Sequence, residues 1–176
     1  MGKSIAVLGL GPSLSLYEDG KYGLTIGVND IWKNIETDVV VCVDKRNRFN
    51  DERMKTIDEC TPKAFYSHLE DYEERKDYVK IELQPDYPRY VCQLEIPSYP
   101  KSLCSPFVAC AVAYKVYKAT EIHLFGVDML DHPHLNGSSC SRITVHFRNL
   151  LIALRQGGSD LIIHGDGILR KLNSSI

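Results

Sequence analysis

The chain has 176 residues, of which 44% are hydrophobic and 25% charged, and its formal net charge is −2. These values are those of a soluble globular protein long enough for one domain, residues 1–176, with a full sheet-and-helix core. With no overall basic field, tight non-specific nucleic-acid binding is disfavoured, and no run approaches the roughly 18 apolar residues a membrane span needs.

The stretch Lys3–Leu14 reads KSIAVLGLGPSL. Its apolar run Ile5–Leu8 predicts a central parallel strand, because such a strand is buried on both faces. Gly9 and Gly11 then allow a sharp turn, and Pro12 with Ser13 predicts the opening of a helix. A strand, a glycine turn and a helix N-terminus together predict an anion site for a nucleotide phosphate. Leu14 stands where a dinucleotide fingerprint carries its third glycine, and no P-loop pattern occurs.

Further along, Leu24–Val28 predicts a second strand ending at Asn29-Asp30, Trp32 a short helix, and Asp38–Val43 a third strand ending at Asp44. Strands alternating with short crossovers predict a mostly parallel sheet in an α/β, Rossmann-like three-layer domain. Arg46–Cys60 reads as one amphipathic helix beside the basic cluster Lys45, Arg46 and Arg48, and Lys63–Tyr66 as a fourth strand. Glu70–Lys80 is a charge run expected to be a solvated helix or loop.

Residues 84–104 hold four prolines and three tyrosines. An edge strand over Tyr90–Ile96 between proline turns is expected there, either as a plain connector or as a flap inserted beside the site. Its tyrosines offer an interface for a homo-oligomer. Ser105-Pro106 predicts a helix start with Ser105 as N-cap, and Phe107–Val116 is apolar almost all round, so that helix is buried. Glu121–Phe125 predicts the next strand, ending at Gly126-Val-Asp128. A polar loop over 129–141, a helix over Arg142–Gln156 and a last strand over Leu161–Ile163 complete the chain. The six cysteines form no C-x-x-C pair. Without a signal-peptide pattern at the N-terminus, they point to reduced thiols in a cytoplasmic protein.

In open α/β sheets ligands bind outside the carboxyl ends of the strands. The predicted strands end there on Ser13, Asn29, Asp44, Asp128 and His164, which predicts one ligand site along that edge. GLGPSL at 9–14, the Val28-Asn29-Asp30 strand end and the segment from Ser102 through Ser105-Pro-Phe to Gly126-Val-Asp128 carry a likeness to a known group. They resemble the bacterial sialyltransferases that use CMP-sialic acid, and their relatives among archaeal hydroxymethyl-dihydropterin pyrophosphokinases and flagellin-glycosylation proteins. The resemblance implies a nucleotide site at Gly9, Gly11, Pro12, Ser13, Asn29, Asp44, Ser105 and Asp128. It places Gly11 and Ser13 near the phosphate or sugar, Asn29 on the nucleotide with Ser105 beside it, and Asp128 on the ribose or a metal. The implied cofactor is a nucleotide-sugar donor of CMP type. The chain departs from the sialyltransferases at Met129-Leu130, where they carry an aromatic residue in a long lid.

Two mechanisms fit these residues. In glycosyl transfer, a neutral histidine among His132, His134 and His146 removes the acceptor proton, since imidazole titrates near operating pH. Backbone N–H groups, with Arg142 or Lys45, meet the phosphate charge. In pyrophosphoryl transfer, Asp128 and Asp131, with Asp44, hold Mg²⁺ against the phosphates. The cluster from Asp128 to His134 also has the residue types of a transition-metal site. Asp30, about twenty residues beyond the glycines, keeps an NAD-binding domain in view, and a non-catalytic nucleotide-binding module is the remaining alternative.

Overall fold

The computed structural model describes residues 3–81, 83–84, 91–92, 104–129 and 137–172. Seven strands form one sheet: β1 (Ser4–Leu8), β2 (Leu24–Val28), β3 (Val39–Val41), β4 (Ala64–Ser67), β5 (Tyr78–Lys80), β8 (Glu121–Phe125) and β9 (Asp160–Ile163). Their order is β5-β4-β3-β2-β1-β8-β9, and every pairing is parallel. The fold is therefore the expected α/β Rossmann-like one, with the sheet wholly parallel. Strand order reverses between β1 and β8, which places the topological switch point beside the glycine turn.

Parallel strands covered on both faces must be apolar on both faces, and β1 meets that demand with Ile5, Ala6, Val7 and Leu8 all fully buried. Ile5 and Val7 join Ile26, Val28, Val39, Val41, Ile122 and Leu124 on one face. Helix α2 (Ser105–Lys115) lies on that face, and its alanines and Cys110 let the backbone approach the sheet closely. Helix α3 (Gly137–Gln156) covers the same face with Phe147, Leu150, Leu151 and Leu154. On the other face, helix α1 (Asp51–Glu59) brings Ile57 against Val40, Cys42, Phe65 and Tyr72. Ala6, Leu8 and Phe125 there meet Ile31, Tyr17 and Tyr22.

Several elements differ from the sequence expectation. Pro12–Leu16 is a five-residue 3-10 turn rather than an α-helix. The helix expected over 46–60 is split, because Asn50 caps α1 by accepting the Arg53 backbone N–H at 3.0 Å. Arg46–Arg48 forms a separate 3-10 turn before it. The charge run hides a buried tyrosine, Tyr72, and the edge strand β5, whose exposed Val79 and Lys80 conceal its strand character. Helix α3 begins at Gly137, five residues before the expected start.

The expected strand at 90–96 contributes β7 (Val91–Cys92), paired antiparallel with β6 (Leu83–Gln84) in a separate two-stranded sheet. The remainder of the expected insertion lies outside the described residues. Cys42, Cys60, Cys104 and Cys110 are free thiols. Among the described residues no helix is long and apolar enough to cross a membrane.

Candidate functional site

The polar strand ends divide into two clusters along the carboxyl edge, with His164 apart from both. The first ties the ends of β1 and β8. Gly9 and Gly11 donate their N–H groups to the carbonyls of Phe125 and Gly126, each at 2.8 Å. Ser13 donates to Asp128 Oδ2 from its backbone N–H at 3.0 Å and from its hydroxyl at 2.9 Å, while the hydroxyl accepts the Gly126 N–H at 2.8 Å.

Close approach here demands glycine. Gly126 has φ +65°, and a methyl on it would collide with the Gly9 carbonyl. Gly165, at φ +91°, has Ser13 and Asp128 where its side chain would be. The backbone N–H groups of Gly9, Gly11, Ser13 and Leu14, in the turn expected to hold phosphate, are thus bonded within the protein. The short 3-10 turn supplies little of the aligned dipole a longer helix would bring. Asp128 sits where that anion was expected.

The second cluster joins β2, β3 and the start of α2. Asn29 has φ +54°, a left-handed conformation that asparagine tolerates better than most residues. Its side-chain amide donates to Asp44 Oδ2 at 3.3 Å. The Ser105 hydroxyl donates to Asn29 Oδ1 at 2.9 Å and lies 3.4 Å from Asp44 Oδ2. One hydroxyl has one proton, so the shorter contact is the bond. Ser105 therefore does not cap α2, whose capping position is Cys104. Below them, Tyr72 donates its hydroxyl to the Asp44 carbonyl at 3.0 Å.

His68 stands near this cluster, within reach of the Asp44 charge. It follows β4 directly, and β4 pairs with β3 with Tyr66 opposite Val41. Its Nδ1 is buried with no hydrogen-bond partner among the described residues. Burial pushes its pKa down and the Asp44 charge opposes that shift, so the imidazole is neutral at neutral pH. The signal that finds it is positional: it follows an apolar strand as Asn29 and Asp44 do.

The other expected residues fall as follows. Lys45 is exposed at the end of β3, whereas Arg46 forms a two-pronged pair with Asp58 at 2.8 and 2.6 Å. Pro12 is exposed at the rim of the glycine turn. His146 lies on α3, and its neighbour Phe147 packs edge-on to Phe107 in the first turn of α2, with ring centroids 6.0 Å apart. His146 thus stands level with the start of α2. Asp131, His132 and His134 lie outside the described residues, as does the Arg142 side chain.

Asp128 does not fit as an open magnesium ligand, because it is 5% exposed and already takes two hydrogen bonds from Ser13. Among the described residues no group of three His, Cys, Asp or Glu side chains could hold a metal. Asp30, the acid that an NAD domain would need, is fully buried and gripped by Arg53 at 2.9 and 2.6 Å. His164 turns to the opposite sheet face, where its Nε2 lies 3.0 Å from His123 Nδ1 and its ring stacks on Phe125 at 4.0 Å.

No protein-family model matches this chain, and no curated protein or solved structure matches it.

Proposed function

We propose that the protein is a nucleotide-dependent transferase of glycosyltransferase type, taking a CMP-type nucleotide-sugar donor at the carboxyl edge of the sheet. One observation carries this reading: the Asn29–Asp44–Ser105 cluster, drawn from positions 15 to 76 residues apart and held at the strand ends. A core has no need of a carboxylate and an amide at that edge, and open parallel sheets place ligands there. Asp44 receives donors on the nucleoside, and Lys45 meets the phosphate charge in solvent. Ser13 and Asp128 act as positioning residues that fix the β1 and β8 ends beside the site.

In the transfer step the acceptor oxygen bonds to the sugar carbon as the bond to phosphate breaks. The electron pair leaves on the nucleotide phosphate, and a neutral histidine takes the acceptor proton. His146 is the described candidate for that base, with His132 and His134 the others.

A thermal-shift panel of CMP, CDP, UDP, GDP, ATP, NAD and S-adenosylmethionine, with and without Mg²⁺, tests the reading. A nucleotide at about a hundred times its Kd adds roughly 2.7 kcal/mol, which raises Tm by several degrees. The expected result is a metal-independent shift with CMP or CDP. A shift only with ATP and Mg²⁺ would replace it with a pyrophosphokinase, and a flat panel would leave a non-catalytic module.

A further inference from the structure

The second cluster has a one-sided hydrogen-bonding inventory. The amide of Asn29 donates to Asp44 and its carbonyl accepts from Ser105, so both ends of that side chain are engaged. The Ser105 proton is used on Asn29. Asp44 takes its contacts on Oδ2, and among the described residues no donor reaches Oδ1. His68 Nδ1 is buried without a partner among them, whereas Asp44 is only half-buried. The Nε2–H tautomer, the commoner form of neutral imidazole, leaves Nδ1 as a lone pair. Two acceptors are then left over at the ends of the adjacent strands β3 and β4, with no donor to match.

From this surplus we infer that the site receives a ligand group presenting two hydrogen-bond donors, the ribose cis-diol, with Asp44 Oδ1 accepting one hydroxyl and His68 Nδ1 the other. The inference rests on the nucleotide reading and deepens it, since it assigns the sugar of the nucleotide to His68 and Asp44. It moves the ribose contact away from Asp128, whose carboxylate already holds Ser13. A buried acceptor is costly when its donor is missing, so a site of this kind discriminates strongly against a ligand lacking one hydroxyl. An exocyclic amine also offers two donors from one nitrogen. The diol is the better match because its two oxygens can serve acceptors on separate strands.

The test is isothermal titration of the full chain with CMP, 2′-deoxy-CMP and UMP, using wild type, His68→Ala and His68→Asn, with unfolding midpoints recorded for each. Wild type is expected to bind CMP about tenfold more tightly than 2′-deoxy-CMP, the worth of one hydrogen bond. His68→Ala should lose about tenfold for CMP and discriminate less between the two sugars. His68→Asn, whose amide oxygen lies close to the position of Nδ1, should recover most of that loss. Equal binding of CMP and 2′-deoxy-CMP with weak binding of UMP would overturn the diol in favour of a base amine. Unchanged CMP binding by His68→Ala would remove His68 from the site while leaving the nucleotide reading intact. Wild type that binds none of the three would overturn that reading and this inference with it.

Discussion

Two polar clusters occupy the same edge of one sheet, only a few strands apart, yet they are built for opposite ends. In the Gly9–Ser13 and Gly126–Asp128 cluster the N–H groups of Gly9, Gly11, Ser13 and Gly126 and the Ser13 hydroxyl all bond within the chain, and glycines allow backbones to touch. In the Asn29–Asp44–Ser105–His68 cluster acceptors outnumber donors, and two of them face no partner among the described residues. A glycine-rich turn can thus act as a buckle, while the unpartnered acceptors of the second cluster are where the proposed nucleotide would find its partners.

The sharpest way to break this comparison is at the buckle. Gly126→Ala forces a methyl into the Gly9 carbonyl at a positive φ, and is expected to cost about 3 kcal/mol or more. Tm should then fall by on the order of 10 °C, as differential scanning calorimetry would read. Asp128→Ala strands the buried Ser13 donors, for an expected cost of about 3 kcal/mol in urea unfolding.

Asp44→Ala is the contrasting experiment. Its stability should stay within about 1 kcal/mol of wild type while CMP affinity falls by about thirtyfold or more. If Asp44→Ala proved the more destabilising of the two carboxylate changes, the division into buckle and site would be wrong. A smaller effect separates backbone from side chain at Asn29: Ala in its left-handed conformation should be about 1 kcal/mol less stable than Gly there.

The gentlest probe is pH. Burial lowers the pKa of His68, His123 and His164 in the folded chain. The unfolded chain, with histidines near 6.5, then binds more protons than the folded one in mildly acid solution. Stability is therefore full above that value and is lost as pH falls through the folded-state pKa values. Urea midpoints at pH 8 and pH 5.5 should show the decline, and the His123→Gln, His164→Gln double variant should flatten it.

Much of the fold is legible in the residues. Ile5–Leu8, Val39–Val41 and Phe107–Ala113 are apolar enough to admit only buried strands and a buried helix, and the structure buries them. Strand β5 is not legible, because Val79 and Lys80 are exposed at the sheet edge and their pattern is that of a solvated segment. In the site, Asn29, Asp44 and Ser105 are legible as strand-end and helix-start residues, and the structure brings all three together. His68 is not legible, because a lone histidine after a strand has no spacing that distinguishes it.

Apolar runs and turn residues act locally, so the residues alone predict a mostly parallel α/β chain and the edge on which its polar strand ends gather. Which polar groups satisfy one another depends on long-range packing. Asp128 and Ser13 are 115 residues apart and Ser105 and Asn29 are 76 apart, so no local pattern reveals that the first pair closes a joint. Hydrogen bonding depends on which donors and acceptors meet, and long-range strand order sets that meeting.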